Sequence, residues 1–231
     1  MKKIIALVAI LAALSACGKT DGNGPERNDG TESESVPQKR IKKILVSSED
    51  GGAGTLLECK YDAKGRVAEY NMMYEGATTV VYNGDNEIIA NGRQKTTYKL
   101  DQDGYLIRRI HSEGTDNYTY SNGLLAASAG GSYTWTDGNL TCFDCGDGIK
   151  TEITYNEHPF KSNINWLFWL GIDDMFREIF LFKGTYPQKL PSSVTMYYQE
   201  TETLTLLYTF DEDGDIKSLH SGGDRLDFIY E

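Results

Sequence analysis

The chain has 231 residues, with 34 acidic against 23 basic side chains and a net charge of −11. A surface of that sign repels nucleic acid and anionic headgroups, and no interleaving of basic and aromatic residues offsets it, so no nucleic-acid partner is expected. Beyond the first residues no stretch is the run of ~20 apolar residues that a spanning helix needs.

The amino terminus reads as an address. Lys2 and Lys3 are followed by an apolar run, Ile4 to Leu14, then small residues and Cys17. This is the layout of a secretory signal peptide. Leu14-Ser15-Ala16-Cys17 resembles the bacterial lipobox, in which the Cys thiol is diacylated and the new amino terminus acylated, commonly with palmitate. The resemblance implies cleavage after residue 16, Cys17 as lipid anchor, and a cell-envelope location. Gly18 stands where Asp would favour inner-membrane retention, which points to the outer membrane, on either its periplasmic or its outer face. Each buried methylene contributes ~0.8 kcal/mol, so two or three acyl chains hold a protein firmly. Cleavage removes Lys2 and Lys3 and no acid, taking the net charge from −11 to −13.

Residues 17–38 are rich in Gly, Asn, Asp, Glu, Ser and Thr and contain no aromatic residue. They cannot bury a core and read as a flexible tether. A single β domain is expected over 39–231. Lys39-Arg40-Ile41-Lys42-Lys43 opens the first strand, and its cations read as guards of a sheet edge.

A cassette then recurs: an aromatic residue, a short polar turn with Gly, and an apolar residue. Its copies are Tyr61-Asp-Ala-Lys-Gly-Arg-Val67, Tyr82-Asn-Gly-Asp-Asn-Glu-Ile88, Leu100-Asp-Gln-Asp-Gly-Tyr-Leu106, Tyr120-Ser-Asn-Gly-Leu-Leu125, Trp135-Thr-Asp-Gly-Asn-Leu140, Tyr155-Asn-Glu-His-Pro-Phe160 and Phe210-Asp-Glu-Asp-Gly-Asp-Ile216. In the second copy Asn86 takes the place of Gly, and Asn also tolerates positive φ. The cassette is a hairpin corner, and the flanking strands alternate apolar with polar residues. Leu57, Cys59 and Tyr61 share one face, as do Ile153 and Tyr155. The outward residues are polar, the reverse of a transmembrane barrel.

Asn165 to Lys183 breaks the alternation. Asp173, Asp174, Arg177 and Glu178 fall on one arc at helical spacing, and the rest is large and apolar. An amphipathic helix over about 164–183 is expected, packed on the sheet. The fold class is therefore all-β: an antiparallel meander of roughly a dozen strands, strongly curved or barrel-like, with one inserted helix.

Chemistry is sparse. Asp211, Asp213 and Asp215 alternate like part of a calcium loop, although the same position asks for turn residues. Cys59, Cys142 and Cys145 remain after lipidation. Cys142-Phe-Asp-Cys145 suggests a local disulfide or plain thiols, with Cys59 as an alternative partner. His111-Ser112 and His220-Ser221 adjoin only in sequence, where strand neighbours point opposite ways. No catalytic residue and no cofactor are expected. Tyr70, Tyr74, Tyr105 and Tyr197 fall off the cassette positions and are the candidates for an exposed platform that contacts a glycan or other ligand.

The cassettes resemble the YD (Rhs-type) hairpin repeats, most closely at Tyr61 to Val67. The whole layout resembles an uncharacterised family of Bacteroidetes-type lipoproteins. The resemblance implies a curved antiparallel sheet and no known activity. The expected function is a non-enzymatic binding or structural module anchored to the outer membrane, serving a glycan, small-molecule or protein ligand. The alternatives are a carrier of an apolar ligand in a curved-sheet cavity, or a glycan hydrolase of the envelope.

Overall fold

A computed structural model describes residues 39–73, 75–162 and 186–231. The signal peptide, Cys17, the tether, the helix expected at 164–183 and Tyr74 lie outside the described residues. The described part is all-β and antiparallel, with eighteen strands where about a dozen were expected. They are β1 (Ile41–Ser48), β2 (Ala53–Tyr61), β3 (Val67–Met72), β4 (Gly76–Tyr82), β5 (Glu87–Asn91), β6 (Lys95–Leu100), β7 (Leu106–His111), β8 (Gly114–Asn117) and β9 (Thr119–Ser121). The second half comprises β10 (Leu124–Ser128), β11 (Gly131–Thr136), β12 (Asn139–Gly146), β13 (Ile149–Pro159), β14 (Lys189–Tyr197), β15 (Thr201–Thr205), β16 (Leu207–Phe210), β17 (Ile216–Ser221) and β18 (Asp224–Tyr230).

Two sheets result. One has eleven strands in the order β16-β17-β18-β1-β2-β3-β4-β5-β6-β7-β8, and the other has seven in the order β15-β14-β13-β12-β11-β10-β9. The higher strand count comes in part from two long strands whose pairing partner changes midway. Only Tyr118 separates β8 from β9, and only Leu206 separates β15 from β16. The first strand is not an edge: β1 pairs with β18 on one side and β2 on the other. The basic cluster therefore does not guard an edge, and Lys43 instead meets Glu58 at 3.1 Å. The last strand is tied into the sheet, in keeping with its apolar alternation.

Three of the cassettes share one pattern of local hydrogen bonding. In Tyr61 to Val67 the Asp62 N–H donates to the Arg66 carbonyl at 2.8 Å, and Gly65 N–H donates to the Asp62 carbonyl at 2.9 Å. The Asp62 Oδ1 accepts from the N–H of Lys64 and of Arg66, both at 2.9 Å. Asp101 and Asp211 repeat all four bonds in their own cassettes. This is why Asp follows the first residue of these copies: its short carboxylate satisfies turn donors that the ladder cannot reach. Gly65, Gly104 and Gly214 take φ of +77°, +84° and +77°. In the second copy Gly84 takes the positive φ, at +69°, and Asn86 does not, contrary to expectation.

Several cassette aromatics, and Tyr208 and Tyr230 outside the cassettes, have a specific partner. Tyr82 Oη donates to the Val67 carbonyl at 3.0 Å, Tyr155 to Leu140 at 2.6 Å, and Tyr230 to Ile216 at 2.9 Å. Tyr61 reaches Ile41, Tyr208 reaches Pro191, and Trp135 Nε1 reaches Leu125. Each latch lands at or near the start of an earlier strand, the one immediately before its own except for Tyr208. A register shift accompanies many of the cassettes, at Lys60/Tyr61, Lys99/Leu100, Thr134/Trp135, Thr154/Tyr155 and Thr209/Phe210. Such a shift bends the strand and re-aims the side chain that follows it. Each latch contributes about 1 kcal/mol net. Burial raises the Tyr82 phenol to about 12, keeping it a donor at any ordinary pH.

Antiparallel alternation puts every cassette at one end of the strands and the plain hairpins at the other. Both chain ends of the described domain lie at the cassette end, where Glu231 N–H donates to the Arg40 carbonyl at 2.9 Å. Between the ends, inward side chains such as Ile44, Leu57, Tyr98, Leu106, Leu140 and Val194 form one buried cluster.

Candidate functional site

The strand from Thr201 to Phe210 lines one wall of a surface recess. Its first half pairs with β14, from Tyr197↔Thr201 to Ser193↔Thr205, without a register shift. Its second half pairs with β17, with Leu207 opposite His220 and Thr209 opposite Ser218. Leu206 N–H donates to the Ser192 carbonyl at 2.9 Å. Antiparallel alternation therefore aims the main-chain groups of 202, 204 and 206 at β14, and those of 203, 205, 207 and 209 the other way. β17 meets 207 and 209 and then ends at Ser221. Gly222 and Gly223, at φ +56° and +91°, turn the chain back into β18. On the Thr205 side of Leu207 the edge of β15 is left open.

The resulting notch encloses about 610 Å³. Its walls are Thr203 to Thr205 and Leu207 on one side, His220 to Arg225 on the other, and Ser47 to Glu49 across the top. Glu49 N–H donates to the Gly223 carbonyl at 3.0 Å, which joins the two hairpin tips. Arg225 is committed to Asp227, with Nη2 at 2.6 Å and Nε at 2.9 Å from Oδ1, and that carboxylate holds its pKa above the usual value. His220 Nε2 lies 3.3 Å from Ser218 Oγ. Ser221 Oγ is buried and has no hydrogen-bond partner among the described residues. With Arg225 paired to Asp227, Glu49 leaves the notch acidic. Nothing in the local sequence marks this recess apart from the Gly222-Gly223 pair, because it arises from a change of pairing partner.

The expected site residues are scattered. Asp211, Asp213 and Asp215 do converge, with ligand oxygens within 4.8 Å of one another. The Lys39 ammonium sits among them, 3.1 Å from Asp211 Oδ2 and 3.4 Å from Asp215 Oδ2, and contacts Asp213 as well. A calcium ion would have to displace it. The hydrogen bonds to Asp213 and then Asp211 hold the Lys39 pKa above its usual value. Burial works to raise the Asp211 pKa, but the N–H of Asp215 and then Lys39 outweigh it, so the net shift is downward.

That direction gives a pH prediction. A carboxylate with a lowered folded pKa adds stability above its unfolded value of ~3.9, and the gain is lost as pH falls through the folded pKa. Lys39→Met is expected to lower the melting temperature near neutrality and to flatten its decline on acidification. Melting curves between pH 3 and 7 check this; identical curves for the two proteins would refute it.

Cys142 and Cys145 lie three residues apart within strand β12, a span of ~10 Å. A disulfide needs Cα atoms about 4.4–6.8 Å apart, so a local bridge does not fit this strand. Among the described residues Cys59, Cys142 and Cys145 form no disulfide, and burial pushes the Cys59 thiol up to about 12. Tyr70 is not a surface residue: it is 3 % exposed and packs in the core opposite Cys59. Tyr105 stays half-buried at the cassette end, its ring 5.0 Å from Tyr120. Tyr197 lies at the hairpin end, donates to Glu152 Oε2 at 2.9 Å and carries Lys150 Nζ over its ring. Tyr105 and Tyr197 therefore do not form one platform. His111 joins Arg109 around the Asp116 carboxylate at 3.1 and 2.8 Å, while Ser112 Oγ donates to Gln94.

No protein-family model matches the sequence, and no curated protein matches it. Among solved structures the chain is similar to a porin-like protein from Bacteroides uniformis, at 18% identity and a TM-score of 0.56. The likeness covers 84% of this chain and 99% of that one. It is a likeness of all-β fold.

Proposed function

We propose that the protein is an outer-membrane lipoprotein, anchored through acyl chains on Cys17, that binds a ligand without turning it over and seats it in the notch beside β15. The observation that carries this reading is the opposition of the two ends of the domain. A tether over residues 17–38 enters at Lys39, at the cassette end. The notch opens between the hairpin tips at the far end. A tether of that length reaches roughly 70 Å when extended, at ~3.3 Å per residue. The far end would then face away from the membrane, where a ligand arrives.

The finer architecture belongs to the same proposal. The partner changes at Tyr118 and Leu206 bend the two sheets into one strongly curved, barrel-like wall. Phe160 and Tyr186, on either side of the segment expected to be helical, pack with ring centroids 6.1 Å apart. The described strands share one cluster of buried apolar side chains, which supports this reading over carriage of an apolar ligand.

The anchor is tested by labelling expressing cells with an alkyne palmitate. Cys17→Ser is expected to lose the label and move from the detergent phase to the aqueous phase. Retention of label by the variant would refute the anchor. A thermal-shift screen with glycans, peptides and calcium chloride addresses the ligand.

A further inference from the structure

We propose that the notch accepts an extended polypeptide segment bearing a basic side chain, which adds as a strand to the open edge of β15. This rests on reading the notch as the ligand seat and names what sits in it. The row of main-chain groups that β17 satisfies at Leu207 and Thr209 continues at Thr205 and Thr203. There, among the described residues, no backbone hydrogen bond reaches it from the open side. Donors and acceptors spaced along a strand edge are read by another backbone, which is the chemistry of β-strand addition.

Sheet edges are ordinarily blunted by Lys, Pro, a bulge or extreme shortness. Counted by pairing partner, the other edge segments are shorter: β8 and β16 have four residues each and β9 has three. β15, Thr201-Glu-Thr-Leu-Thr205, has five residues in unbroken register and contains no Lys, Pro or Gly. Its length matches a segment of about four residues, ~13 Å of strand. The enclosed volume of about 610 Å³ falls within the ~300–1,000 Å³ of ligand sites.

The side chains choose the occupant. Leu207 is 63 % exposed beside the recess and offers an apolar contact to an alternating side chain. Glu49 brings negative charge to the notch, and Arg225 does not offset it because Asp227 already holds its guanidinium. A Lys or Arg on the incoming strand is the complement.

The test uses the full chain in detergent and a synthetic library of heptapeptides in which Val or Thr alternates with Lys. Binders are expected, with hydrogen exchange at Thr203 and Thr205 slowed at least tenfold in their presence. N-methylation of alternate backbone nitrogens in the best binder should weaken it at least tenfold while leaving its side chains unchanged. Glu49→Gln should weaken the unmethylated peptide several-fold. No binder up to millimolar concentration, or an N-methylated peptide that binds equally well, overturns the proposal. If instead a chitooligosaccharide protects the same amides, or a second copy of the chain does so in a concentration-dependent dimer, the notch remains a ligand seat and the peptide assignment falls. If nothing protects these amides, both readings fall.

Discussion

Tyr98→Ala is expected to cost about 3–5 kcal/mol of folding stability, the range for removing a large aromatic side chain from a core. Tyr98 is 0 % exposed in the middle of β6, opposite Ile88 on one side and Arg109 on the other. Its neighbours belong to a sheet tied by ladders on both flanks, so they relax little into the space left behind. For a domain of this size that cost corresponds to a fall in melting temperature of roughly 10 °C. Tyr98→Phe keeps the ring and should lose less than half as much. Urea unfolding of the three proteins at matched concentration measures the difference. A loss below ~1 kcal/mol for the alanine variant would show that the core is not closed around this ring.

Gly131→Ala should be nearly as damaging for a different reason. Gly131 opens β11 at φ +152°. A Cβ there would overlap the main-chain oxygen of Asp144 and lie 3.0 Å from Cε2 of Phe143. The oxygen belongs to the neighbouring strand β12 and cannot rotate away, and the Phe143 ring is already stacked on Tyr133 with centroids 4.8 Å apart. Overpacking and backbone strain each cost about 1–3 kcal/mol, so a combined loss of about 2–6 kcal/mol is expected. Gly146→Ala is the control. Gly146 has φ +83° but nothing within 4 Å of where an alanine methyl would sit, so only the backbone contribution of about 1–2 kcal/mol applies. Equal losses at the two positions would refute the steric argument.

The hairpin corners were legible residue by residue. Tyr61-Asp62, Gly65 and Val67 specify a turn through contacts that span four residues or fewer, and short-range chemistry of that kind is written directly in sequence. The same holds for the faces of strands such as Leu57-Glu58-Cys59, where period-2 alternation sorts inside from outside. The all-β antiparallel class follows from these local facts.

What each corner does beyond itself was not legible. The Tyr155 hydroxyl must find the Leu140 carbonyl fifteen residues away, and no periodicity names that acceptor. Tyr70 lies off the cassette positions yet is buried, because partner strands cover it from both sides. Lys39 looked like an edge guard, but it closes on an acidic turn 172 residues later. The notch beside β15 is the clearest case. Leu204 to Phe210 reads as one strand with Leu204, Leu206, Tyr208 and Phe210 on a shared face, and only the choice of β14 before Leu206 and β17 after it opens a gap between them. Sequence determined the turns and faces because their energies are local. Tertiary structure decided the latches, the acidic staple and the notch, because each depends on which distant backbone arrives at the edge.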